Sequence, residues 1–91
     1  MLIVVSYDVP DDRRRTRLAH GLKDFGERVQ YSVFECRLDK DELEKLSRRV
    51  QALIDPEKDR VRIYQFCLSC ERQIEILGPG KVMEDPDLYV L

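Results

Sequence analysis

Hydrophobic and polar residues follow two different periods along the chain, and each change of period marks the start of a new element. The chain begins with an apolar run over residues 2–5 and reaches a single carboxylate, Asp8, before Pro10 breaks the pattern. Continuous apolar runs are typical of strands that are buried on both faces. We therefore expect a central first strand with Asp8 at its carboxyl end.

The next segment, residues 12–25, repeats apolar residues at helical spacing. Asp11 or Asp12 can cap the start of this predicted helix, and Gly26 provides a stop. Its apolar stripe consists of Leu18, Ala19, Leu22 and Phe25.

A second helix is predicted from a capping box, in which Asp39 is followed three residues later by Glu42. The helix stops before Pro56, which cannot continue it. Its apolar residues recur every three or four positions and are Leu43, Leu46, Val50, Leu53 and Ile54.

The remaining segments alternate with period two, which indicates strands. Residues 27–38 become polar around Gln30 and Ser32, so we expect a turn that splits them into a short strand and a longer one. Residues 60–68 form the next strand, and residues 74–77 form a short last strand.

The predicted order is strand, helix, strand, strand, helix, strand, with an extra strand near the end. This order matches the ferredoxin-like α+β sandwich, in which two helices cover one face of an antiparallel sheet. We assign residues 1–78 to this domain and residues 79–91 to a tail. Because the first strand is apolar on both faces, we expect a second copy to cover the free face, giving a face-to-face homodimer. The apolar end of the tail is expected to dock on a partner.

Composition fits one small folded domain. The chain has 91 residues, of which 43% are hydrophobic and 37% are charged, and its formal charge is -2. That charge argues against a protein that coats nucleic acids through bulk charge alone. No apolar run approaches the roughly 20 residues that span a bilayer, and no signal peptide is recognisable, so we expect a cytoplasmic protein without membrane contact.

Arginine side chains concentrate near the amino end. Arg13, Arg14, Arg15 and Arg17 fall within five positions of the first predicted helix. Guanidinium groups suit phosphate, and positive charges at the start of a helix oppose the helix dipole. The cluster is a candidate nucleic-acid-binding surface, and a solvated arginine face is the alternative on charge pattern alone.

The cysteines are weaker evidence for a functional site than the arginine cluster. Cys36, Cys67 and Cys70 are an odd number in a chain without an export signal, so no disulfide framework is expected. Cys67-x-x-Cys70 has redox or zinc spacing, but no second pair follows and His20 is the only histidine. We interpret all three as structural thiols. A triad hydrolase is not expected, because no Gly-x-Ser-x-Gly elbow surrounds any serine.

Asp8 is the candidate metal ligand. Alone it makes a poor magnesium site, because Mg²⁺ usually takes a second protein ligand or substrate phosphates. A two-fold axis near the end of the first strand would bring two Asp8 carboxylates together. The alternative is that Asp8 accepts backbone amides at the start of the first helix, and the residue pattern leaves both interpretations open.

Three motifs occur in order: Tyr7-Asp8-Val9-x-Asp-Asp-x-Arg-Arg, then Gly26-x-x-Val29-Gln30-x-Ser32-Val33-Phe34-Glu35, then Arg62-Ile63-Tyr64. In this combination the chain resembles the CRISPR-associated spacer-acquisition proteins of the Cas2 family, up to about Gly78. The resemblance implies a ferredoxin-like homodimer whose first-strand aspartates face each other. It also implies a magnesium-dependent endonuclease acting on single-stranded RNA or double-stranded DNA, and a scaffold that bridges dimers of the larger CRISPR integrase.

The resemblance also assigns roles to residues. Asp8 matches the metal-binding aspartate, and Arg13 and Arg14 match only the general basic character. The positions linked to nuclease activity are Tyr7, Arg15, Arg17, Arg28 and Phe34. As a nuclease the protein needs Asp8, whereas as a scaffold it does not. A toxin-type endoribonuclease of the same fold and a non-catalytic nucleic-acid-binding adaptor are the other candidate functions.

Overall fold

The computed structural model describes residues 1–79, in which the elements keep the predicted order up to the fourth strand and a short helix follows in place of the last predicted strand. The elements are β1 (Leu2–Asp8), α1 (Asp12–Leu22), β2 (Gly26–Gln30), β3 (Val33–Arg37), α2 (Lys40–Leu53), β4 (Arg60–Phe66) and α3 (Leu68–Glu71). The four strands form one antiparallel sheet in the order β2-β3-β1-β4, as in a ferredoxin-like α+β fold. Within residues 1–79, none of the helices combines the length and the hydropathy that a bilayer span requires. The predicted tail lies outside the described residues, apart from Pro79.

β1 is the central strand, because it pairs with β3 on one side and β4 on the other. Its alternate residues Ile3, Val5 and Tyr7 are buried in the core between the sheet and the two long helices. The other elements supply Leu18, Ala19, Leu22, Phe34, Cys36, Leu38, Leu46 and Val50 to the same core. Leu2, Val4, Ser6 and Asp8 therefore point to the second face of the sheet.

The chain itself covers one end of that second face. Arg37 of β3, which alternates with the core residue Cys36, forms an ion pair with Glu71 of α3. The two side chains are only 17% and 3% exposed, and Leu2, the register partner of Arg37, has no exposed surface. α3 thus supplies part of the cover that the sequence led us to expect from a second subunit. Farther along the same face Tyr64 is 43% exposed.

Two predicted boundaries depend on local signals, and both are confirmed. The Glu42 amide donates to Asp39 Oδ1 at 2.8 Å, and the Asp39 amide donates to Glu42 Oε1 at 3.1 Å, which completes the capping box of α2. The alternating segment splits as expected, since β2 ends at Gln30 and β3 starts at Val33.

α1 is three residues shorter than predicted. It ends at Leu22, and the chain turns before Gly26 begins β2. A Cβ added at Gly26 would lie 2.7 Å from Cys36 Sγ and 2.8 Å from Cys36 Cα. Real Cβ atoms do not approach other atoms that closely, so this glycine serves the close pairing of β2 with β3 instead of ending the helix.

The carboxyl-terminal part of the prediction is wrong in two places. β4 stops at Phe66 instead of residue 68, because Cys67 already leads into α3. Residues 74–77, predicted as a last strand, adopt no strand in the described chain. A strand needs a neighbouring edge for its hydrogen bonds, and α3 intervenes between β4 and this segment.

A buried carboxylate ties α1 to the turn between α2 and β4. The Asp59 side chain has no exposed surface, and Arg14 donates to both of its oxygens, from Nε at 2.8 Å and from Nη2 at 3.0 Å. The Asp55 amide donates a further hydrogen bond at 2.8 Å. The hydrogen bond from Arg14 holds the pKa of Asp59 below its ordinary value, against the opposing effect of burial.

Substitution of this carboxylate should change the pH dependence of stability. Because the pKa of Asp59 is lowered in the fold, the ionised group stabilises the protein above the unfolded pKa of about 3.9, and this stabilisation is lost as the pH falls below that value. We expect Asp59→Asn to lower the Tm by several degrees at neutral pH. At acid pH the difference in Tm between the variant and the parent should become smaller. Thermal unfolding followed by circular dichroism at neutral and acid pH measures both effects.

Asp24→Asn is the matched control, since Asp24 pairs with Arg49 at the surface and its side chain is 70% exposed. Exposed pairs contribute little, so this variant should unfold close to the parent at every pH. Equal Tm values for Asp59→Asn and Asp24→Asn at neutral pH would contradict the role given to Asp59.

Candidate metal ligand and basic groove

Asp8 is the last residue of β1 and is exposed, with its backbone opposite Arg60 of β4. The helix-cap role falls to Asp11, whose Oδ2 accepts a hydrogen bond from the Arg14 amide at 2.9 Å. Within residues 1–79 the Asp8 side chain has no hydrogen-bond or ion-pair partner. Of the two interpretations of Asp8, the structure therefore removes the cap and leaves a carboxylate available to a ligand.

One carboxylate does not make a complete metal site. The described part of the chain contains no group of three or more His, Cys, Asp or Glu side chains that could hold a metal ion. Mg²⁺ takes hard oxygen ligands, keeps several waters and is commonly held by one or two carboxylates plus substrate phosphates. Asp8 fits as one such ligand, so a complete site needs oxygens from a second chain or from a nucleic acid.

Tyr7 and Phe34, two residues predicted to support catalysis, lie in the core. Phe34 has no exposed surface and Tyr7 is 4% exposed, with 6.3 Å between their ring centroids. The Tyr7 hydroxyl donates to the Tyr31 carbonyl oxygen at 3.4 Å. Neither ring can contact a substrate in this conformation, so an effect of either residue on activity would be indirect, through the turn that carries Tyr31.

A basic groove of about 360 Å³ lies between α1 and the turn that joins β2 to β3. Tyr31 is 70% exposed at its edge, and the guanidinium carbons of Arg15 and Arg28 lie 5.8 Å and 6.0 Å from its ring centroid. Arg28 also lies 5.9 Å from the Phe34 ring. The groove is lined by Arg15, Thr16, Ala19, His20, Lys23, Arg28 and Tyr31. It joins an exposed aromatic face to positive charge, which suits a phosphate and its attached base.

The groove and Asp8 lie at the same end of β1 but on opposite faces of the sheet. Arg15 Nη1 donates to the Val9 carbonyl oxygen at 3.0 Å, directly after Asp8, and Tyr7 supports the Tyr31 turn directly before it. Since neighbouring residues of a strand point to opposite faces, Asp8 points away from the groove that its neighbours build.

The predicted arginine cluster is divided among different surroundings. Arg15 lies in the groove, where it also pairs with Asp12, whereas Arg14 is committed to Asp59. Arg17 faces a separate depression beside α2, and Arg13 is exposed on α1. The structure brings Arg15 together with Arg28 but not with Arg13, Arg14 or Arg17.

Sequence reasoning assigned only Arg15 and Arg28 to a site and missed the other five groove residues, among them His20, Lys23 and Tyr31. His20 and Lys23 follow Thr16 and Arg15 at helical spacings of four and eight, so a helical wheel places them on one side of α1. Tyr31 carries no comparable signal, because it joins the groove only through the β2–β3 turn.

Comparison with known proteins agrees with this fold. The family model described as CRISPR associated protein Cas2 matches residues 1–74. The CRISPR-associated endonuclease Cas2 2 of Thermus thermophilus is 49% identical over 90 residues, which cover 99% of this chain and 96% of that protein. The CRISPR-associated endoribonuclease Cas2 1 of Chloroflexus aurantiacus is 43% identical over 93 residues, which cover 100% of both chains.

Solved structures show the same likeness. A hypothetical protein, TT1823, from Thermus thermophilus has a TM-score of 0.80 and 51% identity, with 91% of this chain and 96% of that one covered. Streptococcus pyogenes Cas2 at pH 6.5 has a TM-score of 0.75 and 34% identity, with coverage of 86% and 100%. A chain of a partial Cas6-RT-Cas1–Cas2 complex has a TM-score of 0.73 and 25% identity, with coverage of 84% and 89%. The chain described here therefore belongs to the CRISPR-associated Cas2 family.

Proposed function

We propose that this protein is a metal-dependent endonuclease of CRISPR adaptation that hydrolyses phosphodiesters in RNA, duplex DNA or both. The observation that carries this proposal is the exposed Asp8 carboxylate, which has no partner within residues 1–79. Family relatives with 49% and 43% identity are named as an endonuclease and an endoribonuclease. The names of these relatives and the exposed Asp8 carboxylate both support the proposed hydrolysis of phosphodiesters.

In this proposal Asp8 holds Mg²⁺ at the end of β1. The ion, when bound, would polarise the phosphodiester and lower the pKa of a bound water. Asp8 would contribute an oxygen ligand from an ordered backbone position, because the pairing of β1 with β4 extends to Asp8. The family relationship and the absence of an internal partner for Asp8 within residues 1–79 support this role.

The second carboxylate would come from a second copy of the chain. A two-fold axis close to the end of β1 would bring the two Asp8 side chains together, so that both could hold one ion. The second face of the sheet has room for such a partner, since Val4 and Ser6 are only half-buried and Tyr64 is exposed. Leu77, 84% exposed in the segment predicted as a strand, would gain cover from the partner's sheet edge.

Because the groove lies on the face of the sheet opposite Asp8, the nucleic acid would pass around the shared end of β1, with one segment in the groove and the cleaved phosphate at Asp8. Arg15 and Arg28 would contact phosphate, and the exposed Tyr31 ring would stack on a base. Such contacts recognise the backbone and the base face but no particular sequence. The groove therefore supports binding of RNA or DNA without strong sequence preference.

A scaffold role accompanies this activity in our proposal. The larger CRISPR integrase would bind the dimer, and residues 79–91 are our candidate docking segment. The likeness to a chain of a Cas6-RT-Cas1–Cas2 complex supports a partner of this kind. The scaffold role does not require Asp8, which separates it experimentally from the nuclease. If the protein has the scaffold role but no nuclease activity, it is a non-catalytic adaptor.

Asp8→Asn tests the nuclease proposal. With Mg²⁺ present, we expect cleavage of single-stranded RNA and duplex DNA to fall roughly 100-fold or more, the scale of losing an electrostatic contact to the transition state. A chelator should reduce the parent to the same level. Asp11→Asn is the matched control, because asparagine keeps the helix cap while one carboxylate charge is lost nearby; it should cleave like the parent.

The same variants separate the two roles when spacer integration is measured with the larger integrase. Integration by Asp8→Asn at the parent's rate would show that scaffolding does not use the metal. Cleavage by Asp8→Asn at the parent's rate would contradict the nuclease proposal and leave the adaptor.

The groove is tested by the double variant Arg15→Ala with Arg28→Ala. We expect weaker binding of all sequences alike, and a plot of log K against log salt whose slope is smaller by roughly 1.5, since two phosphate contacts to a single strand are lost. Fluorescence anisotropy with labelled RNA at several salt concentrations measures both quantities.

Lys45→Ala with Arg48→Ala removes the same charge from the exposed surface of α2 and is the control. If both double variants reduce the slope equally, binding follows net charge and the groove has no special part in it.

A further inference from the structure

Two cysteines that the proposed function does not use lie side by side at the start of α3. Cys67 Sγ and Cys70 Sγ are 3.3 Å apart, and both residues are exposed. A disulfide bond is about 2.0 Å long, so the two sulfurs have to approach by only about 1 Å to form one. The third cysteine, Cys36, is buried in the core and cannot take part.

The two thiols differ in their surroundings. Cys67 Sγ lies 3.4 Å from the Ser69 hydroxyl, and this hydrogen bond, with others from the Cys70 amide and thiol, lowers the pKa of Cys67 to about 7. The adjacent Cys67 raises the pKa of Cys70. The thiolate is the reactive form of cysteine, so Cys67 is the attacking thiol and Cys70 is the resolving one. Burial raises the pKa of Cys36 to about 11, which makes that thiol unreactive.

We propose that Cys67 and Cys70 form a reversible dithiol–disulfide site that exchanges with low-molecular-weight or protein disulfides. This proposal replaces our interpretation of Cys67 and Cys70 as structural thiols. Exposed disulfides are generally the labile, regulatory or catalytic ones, and the Cys-x-x-Cys spacing is common to redox sites. The proposal does not depend on the nuclease, because neither thiol belongs to the groove or lies on β1.

The exchange proceeds in two steps. The Cys67 thiolate attacks one sulfur of the incoming disulfide, whose S–S bond breaks, and the first thiol leaves after taking up a proton. The Cys70 thiol then loses its proton and attacks the Cys67 sulfur, forming the Cys67–Cys70 bond and releasing the second thiol. The protein loses two protons and two electrons, which the incoming disulfide takes up as it is reduced to two thiols.

Oxidised glutathione provides the test. The full chain is incubated with it at neutral pH with a chelator present, treated with an alkylating reagent and examined by mass spectrometry. We expect the parent to lose two hydrogens, to retain no glutathione and to leave Cys67 and Cys70 unalkylated, and a dithiol reductant should reverse the change. Cys70→Ser should stop at the first step and retain one glutathione. Cys67→Ser should react at least about tenfold more slowly, because the thiol that remains is mostly protonated.

Cys36→Ala is the control and should behave like the parent. Circular dichroism shows whether the variants keep the fold, as expected for substitutions at the exposed positions Cys67 and Cys70. Equal rates for Cys67→Ser and Cys70→Ser would contradict the assignment of attacking and resolving thiols. A parent that retains two glutathiones would contradict the internal disulfide. Protection of the thiols only when Zn²⁺ replaces the chelator would make the pair a metal site and overturn the proposal.

Discussion

Strict alternation along the central strand places the groove and the candidate metal ligand. β1 is held between β3 and β4, and a slip of one residue would exchange every side chain between the two faces of the sheet. Tyr7 therefore faces the core, where its hydroxyl supports the turn that carries Tyr31. Asp8, the next residue, faces outward and stays clear of the helix start. One backbone constraint thus separates the aromatic support of the groove from the free carboxylate.

The arginine cluster shows how the same side-chain type serves stability and binding. Adjacent residues on a helix point about 100° apart, so Arg14 and Arg15 reach different surroundings. Arg14 neutralises Asp59, a carboxylate with no exposed surface that would be costly to bury alone. Arg15 projects into the groove beside Arg28 and the exposed Tyr31 ring. Counting the positive charges in the sequence overestimates how many of them are free to bind phosphate.

Local signals in the sequence predicted most of the fold. The capping box of Asp39 and Glu42 acts between residues three positions apart, so α2 could be located without any tertiary information. Gly26 was misjudged because its role depends on contact with Cys36 across the sheet. α3 was missed for a similar reason, since this one-turn helix is accompanied by an ion pair between Glu71 and the distant Arg37. Asp8 shows the same limit, because Asp8, Asp11 and Asp12 were all candidates for one helix cap and only the structure shows that Asp11 makes it.

In the proposed site, one Asp8 carboxylate from each of two chains holds a single metal ion. Mn²⁺ takes similar oxygen ligands and is visible by electron paramagnetic resonance, so titrating it into the protein measures this binding. We expect one tightly bound ion per two chains in the parent and loss of that ion in Asp8→Asn. Binding of one ion per chain, or equal binding by Asp8→Asn, would contradict it.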